Sequence, residues 1–292
     1  MEISIIIVTY NSEQYIERCI ASFAKSPTKI KYEIIVVDNN SKDLTVSNLK
    51  INFPEVVIIE NYENVGFAKA NNQAIKVAKG KYLLLLNPDT EITRETIEKF
   101  YSFMQNEENK NVWCVGGILI DENNNPQFSF GRFPRIFDVF FEQYGLHKIL
   151  KNYYLKNILQ TNQSIPINNI EVDFVSGACM FISTKLLNEI GLFEEEFFLT
   201  YEETELAVRA NKKGYNTIVL KDLFVKHLGQ KSFETSDYYI SNLKIGQLIY
   251  FKRKDIISYL IVKFLLISGT ILRVIFTKNE SKKKLLYSLI RI

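Results

Sequence analysis

A chain of 292 residues with 47% apolar and 24% charged side chains has ordinary globular composition. That excludes a disordered polymer and leaves room for one large core or two modest ones. The net charge of +3 is unevenly spread: from Tyr250 onward ten Lys or Arg stand against Asp255 and Glu280, so the remainder is net acidic. An acidic body with a basic, apolar tail argues for a membrane surface and against nucleic acid as a partner. Cys19, Cys114 and Cys179 are far apart and show no zinc-type spacing; they read as buried free thiols in a reducing compartment. The opening run Ile3–Val8 lacks a basic leader and is too short for a signal peptide, so a cytoplasmic location is expected.

In chain order, Ile3–Val8, Glu33–Val37, Val56–Ile59 and Tyr82–Leu86 predict strands. Between them, Ile16, Ile20 and Phe23 share one helical face, as do Phe67, Ala70, Ala74 and Ala78. Such alternation of apolar strands with helices predicts an α/β fold, a mostly parallel sheet with helices on both faces. A helix carrying Ile97, Phe100 and Met104 follows, then strands at Val112–Ile120 and Gln127–Gly131. Phe137–Ile170 reads as short helices and loop, and Val172–Ile182 as a buried extended segment. Thr204–Lys213 predicts a helix ended by Gly214, and Thr217–Leu220 and Phe224–His227 two short closing strands. No internal repeat or low-complexity linker separates these elements, so one domain plus a tail is expected.

Ligands of an open parallel sheet bind at the carboxyl ends of its strands. Three such ends are polar: Thr9-Tyr10-Asn11, Asp38-Asn39-Asn40 and Asn87-Pro88-Asp89. Each has a plainer reading, Asn11 as a helix N-cap and Asp38 to Ser41 as turn chemistry; their convergence is what suggests a site. The turn Tyr10-Asn11-Ser12-Glu13 has no glycine and the chain has no GxxxxGK[ST], which excludes a dinucleotide fingerprint and a P-loop.

Val8-Thr9-Tyr10-Asn11, Val37 to Ser41, Asn64-Val65-Gly66-Phe67-Ala68 and Leu86-Asn87-Pro88-Asp89-Thr90 resemble the successive motifs of family 2 glycosyltransferases. The resemblance is nearest to the rhamnosyltransferase-like branch. Ser176-Gly177-Ala178, Gly191 to Phe198, and Tyr201-Glu202-Glu203-Thr204-Glu205-Leu206 with Arg209 and Gly214 extend it over about four-fifths of the chain. The resemblance implies a GT-A fold and an inverting, metal-dependent enzyme. It would move a sugar from a nucleotide-diphosphate donor, dTDP-rhamnose first, to a glycan or lipid-linked glycan of the cell surface. A UDP-hexose or UDP-N-acetylhexosamine enzyme is the near alternative, and a non-catalytic sugar-nucleotide scaffold a different class. A nucleotidyltransferase would need a Gly- and Arg-rich loop, which Asn11-Ser12-Glu13-Gln14 does not supply.

By the same resemblance Asp89 is a ligand of Mg²⁺ or Mn²⁺, the first acid of the usual DxD being Asn87 here. His227 completes the metal site, with Ser232 nearby. Asp38 reads the base, flanked by Thr9 and Tyr10. Asn11, Asn40, Asn64, Gly66, Asn71, Asn87, Gly177 and Ala178 complete the nucleotide-sugar site. Glu203 is the general base, Glu202 its alternate, because Glu202-Glu203 stands where the family has Glu-Asp. Arg209 orients or pairs with these carboxylates, and Glu194–Glu196 reads as a solvated charge run. His147 matches no motif.

The expected boundaries are 1–235 for the transferase domain, with 1–110 the nucleotide-binding half and 111–235 the acceptor and catalytic half. Residues 236–292 form a helical tail. In that tail Lys263, Thr270, Arg273 and Thr277 align on one face, with Leu266 breaking the pattern. An in-plane membrane helix is expected, drawn to anionic lipid by Lys252 to Lys254 and Lys282 to Lys284. That makes the protein peripheral on the inner face of the cell membrane; docking on the protein or a homo-oligomer contact are the alternatives.

Overall fold

The computed structural model describes residues 1–24, 29–146, 168–229 and 237–276. They form two compact units. The first takes residues 1–24, 29–131, 168–195 and 203–229, the second 132–146, 196–202 and 237–276. Ser232, His147, Thr277 and the lysines at 282–284 lie outside the described residues.

The first unit opens with β1 (Ile3–Thr9), α1 (Ile16–Ala24), β2 (Tyr32–Asp38), α2 (Thr45–Asn52), β3 (Val57–Glu60), α3 (Phe67–Val77) and β4 (Tyr82–Leu86). After these come β5 (Thr90–Glu91), α4 (Arg94–Gln105), β6 (Val112–Ile120) and β7 (Phe130–Gly131). Beyond the second unit's α5 (Ile136–Gln143) the chain returns with β8 (Ile170–Val172), β9 (Phe174–Val175), β10 (Cys179–Ser183) and α6 (Thr184–Ile190). Then come α7 (Glu202–Lys212) and β11 (Asn216–His227).

The main sheet runs β3-β2-β1-β4-β10-β6-β11-β5, with β8 added on β11. β1, β2, β3 and β4 are mutually parallel, and β6 is parallel to β11. β10 lies antiparallel to both β4 and β6, so β6 and β11 run in the direction of β1. Six strands therefore end at the same edge.

Every residue of β1 and β4 is buried, as expected of strands covered on two sides. On one face Ile3, Ile5 and Ile7 pack with Ile16, Ile20 and Phe23 of α1 and Ile97, Phe100 and Met104 of α4. α3 packs on β1 and β2 with Ala68, Ala70 and Ala74 buried, outside that cluster and so on the other face. Each fully buried Ile or Leu contributes roughly 1.5–3 kcal/mol of transfer free energy. All three cysteines are buried and free, and burial pushes each thiol up.

The later half departs from expectation in three places. The extended segment 172–182 is broken into β8, β9 and β10, because the chain bends at Asp173 to leave β11 for β7 and turns again at Gly177-Ala178. The two closing strands are one, β11, with a register shift against β6 between Val219 and Phe224. The polar interruption Lys221-Asp222 is thus a bulge and not a strand end. Of Gln127–Gly131 only Phe130 and Gly131 pair, with β9.

The second unit holds α5, α8 (Asp237–Lys254) and α9 (Ile256–Phe276). Asp255 joins α8 to α9 and caps α9, accepting from Ser258 N–H at 2.7 Å and Ser258 Oγ at 2.6 Å. α9 packs on both α5 and α8. Arg273 donates to the carbonyls of Glu142 and Gln143 at 2.8 and 3.0 Å, a cation placed on the negative end of α5. Thr270 and Leu266 are buried. The stripe of Thr270, Arg273 and Leu266 therefore belongs to the packing side of the helix, which is why an apolar leucine interrupts it. The exposed side carries Ile257, Leu260, Ile261, Phe264, Ile271, Leu272 and Ile275. Among the described residues α9 is the one helix long and apolar enough to cross a membrane.

Lys244 of α8 is half-buried, and loss of hydration pulls its ammonium down to about 8, opposed by Glu142 and reinforced by Arg273. Its folded value lies below the ordinary 10.5. Between those two values the unfolded chain binds more protons, so the unit gains stability as pH rises through that window. Lys244→Met is expected to stabilise the protein at pH 7 by up to about 3 kcal/mol, seen as a higher Tm. Melting curves across the alkaline range check this: the gain should fade toward pH 10.5, and a loss, or a gain independent of pH, contradicts it.

Candidate functional site

The parallel strands place the polar motifs along one edge. Thr9 ends β1 opposite Asp38, which ends β2 opposite Glu60 of β3. Asn87 follows Leu86, the last residue of β4, whose partners are Ile7 and Cys179. β10 starts at this edge, so Gly177 and Ala178 lie there too. The Ala178 carbonyl accepts from Asn87 N–H at 3.0 Å and from Thr90 Oγ1 at 3.4 Å. A Cβ added at Gly177 would sit 3.6 Å from the Phe67 ring, which places this turn beside the start of α3.

The loops after β1 and β2 are stitched together. Asn11 N–H donates to Ser41 Oγ at 2.8 Å, and Asn11 Oδ1 accepts from Lys42 N–H at 2.8 Å. Asn11 and Asn40 have φ of 50° and 65°, the left-handed region that asparagine tolerates. Asn11 thus holds the neighbouring loop and does not cap α1. Asp38 accepts from Ser41 N–H at 2.9 Å and Ser41 Oγ at 2.5 Å, so turn chemistry occupies part of its carboxylate. Two of about four lone-pair sites remain. Thr9 Oγ1 is buried and has no hydrogen-bond partner among the described residues. Tyr10 is half-exposed.

At α3, Asn64 Oδ1 accepts from Gly66 N–H at 3.0 Å, and the Gly66 carbonyl accepts from Asn39 Nδ2 at 3.3 Å. Gly66 adopts φ 85° and ψ 170°, a region open essentially to glycine alone. Asn71 is buried and donates to the Phe67 carbonyl at 3.0 Å, so its amide serves the helix. Asn72, which sequence reasoning passed over, bonds Phe193 O, Phe193 N–H and Glu195 Oε1. Glu195 is therefore tied to α3 and is not one of a solvated run.

Asp89 and His227 come together. β5 pairs with the end of β11, Thr90 opposite His227, and Leu228 N–H donates to the Asp89 carbonyl at 2.9 Å. His227 Nε2 stands 3.4 Å from Asp89 Oδ1. The other ring nitrogen, Nδ1, is 2.8 Å from Gln127 Oε1, while Gln127 Nε2 donates to the His227 carbonyl at 2.9 Å. Gln127 was not among the residues singled out, since a contact across 100 positions leaves no local signal. Among the described residues no cluster of three or more His, Cys, Asp or Glu side chains is found, so Asp89 and His227 form a two-donor pair.

The carboxylates of α7 fall on either side of the division. Glu202 is buried and belongs to the second unit; Glu203 belongs to the first. Just before them Thr200 and Tyr201 have φ of 73° and 69°, strained values for such side chains. In that second unit Tyr201 OH accepts from Gln247 Nε2 of α8 at 3.2 Å, and its ring packs on Tyr250. A Cβ at Gly246 would meet the Thr200 carbonyl at 2.9 Å. Arg209 forks onto Glu205 at 2.8 Å and donates to the carbonyls of Ile190 and Leu192 at 3.0 and 2.7 Å. Glu205 thus orients the guanidinium, which itself holds the carbonyls on either side of Gly191.

A mostly parallel α/β sheet with polar motifs gathered at its carboxyl edge is the framework of the GT-A fold. The chain belongs to glycosyl transferase family 2, whose model matches residues 4–191. It is 27% identical to the low-salt glycan biosynthesis hexosyltransferase Agl10 of Haloferax volcanii, over 95% of this chain and 86% of that one. To the dTDP-rhamnosyl transferase RfbF of Shigella flexneri it is 26% identical, over 78% of this chain and 69% of the relative. Among solved structures, the mannosyltransferase PcManGT from Pyrobaculum calidifontis, in complex with GDP-Man and Mn²⁺, matches with a TM-score of 0.57. That match is 16% identical and covers 98% of this chain and 79% of the other; it shows the shared GT-A fold.

Proposed function

We propose that this family 2 enzyme transfers a sugar, with inversion, from a nucleotide-diphosphate donor to a glycan acceptor carried on a lipid. The observation that carries the reading is the Asp89–His227 pair, 3.4 Å apart, on the edge that also holds Thr9, Asp38 and Gly66. dTDP-rhamnose is the leading donor, supported by the likeness to a dTDP-rhamnosyl transferase. A UDP-hexose or UDP-N-acetylhexosamine donor is the second reading, favoured by the long match to a hexosyltransferase.

Residues 1–110 form the nucleotide-binding half and 111–235 the acceptor and catalytic half of this scheme. The free lone pairs of Asp38 accept from the base N–H, with the buried hydroxyl of Thr9 beside it and Tyr10 stacked on the ring. Asn11 and Asn40 shape the loops around the base. Asn64, Gly66 and Asn71 set the start of α3 against the ribose and diphosphate. Asn87, Gly177 and Ala178 line the sugar side.

Asp89 and His227 fit a divalent cation, since carboxylate oxygen and imidazole nitrogen are both metal donors, and the nitrogen favours Mn²⁺ over Mg²⁺. Bound there, such a cation supplies positive charge against the departing diphosphate. Glu203 takes the proton of the acceptor hydroxyl; that oxygen bonds the anomeric carbon as the bond to the diphosphate breaks and its electron pair leaves. Attack opposite the leaving group inverts the anomeric centre. Glu202 is the alternate base, because each glutamate reaches one methylene further than the aspartate expected from the family.

The second unit supports placement on a membrane. The open apolar side of α9 starts beside the exposed Lys252, Arg253 and Lys254 of α8, and each such charge is worth about 1 kcal/mol at an anionic surface. Because the other side of α9 is packed on α5 and α8, the helix lies in the interface plane.

Two outcomes are expected. Glu203→Gln lowers kcat by roughly 10²–10⁴ with donor KM little changed, and NMR of the first product formed shows the anomer opposite to the donor's. Retained configuration, or full activity in both Glu203→Gln and Glu202→Gln, contradicts the mechanism. The full chain is also expected to float with vesicles containing anionic lipid, and Leu260→Glu with Phe264→Glu to abolish flotation. Flotation unaffected by the pair, or none by the wild type, contradicts the membrane placement; a wild-type dimer made monomeric by the pair would assign the face to a second copy.

A further inference from the structure

The geometry points to Gln127 as a positioning residue that fixes which nitrogen of His227 carries the proton. The Gln127 side chain makes two bonds to one residue: Nε2 to the His227 carbonyl at 2.9 Å and Oε1 to His227 Nδ1 at 2.8 Å. A backbone carbonyl only accepts, so the amide end facing it is the NH₂. The oxygen end must then face the ring, and a carbonyl oxygen needs a hydrogen from its partner. Nδ1 is therefore the protonated nitrogen of the neutral ring, and Nε2 carries the lone pair.

The atom that carries that lone pair, Nε2, lies 3.4 Å from Asp89 Oδ1. Two acceptors facing each other repel unless something positive lies between them. The arrangement suits a cation held by both, and it resembles the outer-shell hydrogen bond that orients metal-ligating histidines. The role of Gln127 rests on the reading of Asp89 and His227 as the cation site. Gln127 is itself held in place: its N–H donates to the Leu119 carbonyl at 2.8 Å, and Ile120 bridges Pro126. The turn 121–126 thus delivers the amide to the ring from β6, a strand adjacent to β11.

The test uses the full chain without metal, carrying His147→Gln so that His227 is the one remaining imidazole. ¹⁵N-histidine spectra about two pH units above the ordinary histidine value should show the Nδ1–H form. Gln127→Leu should move the ring to the Nε2–H form, which donates to Asp89. Gln127→Glu, which keeps an acceptor at Nδ1, should retain Nδ1–H. In parallel, Mn²⁺ binding followed by the EPR signal of the free ion should weaken about 10–100-fold in Gln127→Leu and be kept in Gln127→Glu. An Nε2–H ring in the parent protein, or a tautomer indifferent to Gln127→Leu, overturns the assignment. An Nδ1–H ring that Gln127→Leu abolishes, in a protein that binds no Mn²⁺, supports the assignment to Gln127 and overturns the cation reading instead.

Discussion

The candidate site depends on a two-residue ladder. β5 is only Thr90 and Glu91, yet its pairing with Lys226 and His227 joins the loop after β4 to the far end of β11. Without it Asp89 and His227 would belong to separate strand ends. With it, a buried Thr90 and the Leu228 N–H bond to Asp89 hold both side chains on one edge. Gln127 then adds a third strand to the arrangement, from the turn after β6. The chemistry proposed for this edge needs preformed positions, since a displacement of about 1 Å can cost a hundredfold in rate.

The second unit has its own internal logic. α9 is sorted into a packed side and an open side, and the packed side keeps the polar groups. Arg273 satisfies the terminal carbonyls of α5, Tyr144 and Ser268 share a hydrogen bond at 2.8 Å, and Thr270 is buried. In the same unit α8 supports the strained pair Thr200 and Tyr201, with Gly246 leaving room for the Thr200 backbone. Backbone strain of this kind persists where surrounding contacts overdetermine it. Here it falls immediately before the two glutamates at the start of α7.

Much of this was legible in the sequence, and for identifiable reasons. The runs of β1 and β4 are almost continuously apolar because both faces are covered, and the edge motifs follow directly after them. Asp89 and His227 were named through family resemblance; neither spacing nor composition ties residues 138 positions apart. Three things could not be read. The bulge in β11 looks like a strand end, since Lys221 and Asp222 are polar in either case. The stripe through Thr270 and Arg273 looks like a solvent face, because a helix-capping arginine and a solvated one have the same periodicity. Gln127 carries no local signal at all, since its role exists only once β6 and β11 are neighbours.

The most direct test of the account is calorimetric titration of the protein with a panel of nucleotide sugars, with and without Mn²⁺. Tight binding of one donor that requires both its sugar and the cation, and is lost in Asp89→Ala, is the predicted result. Binding of no nucleotide sugar, or binding indifferent to the cation and to Asp89, would contradict the assignment of this sheet edge.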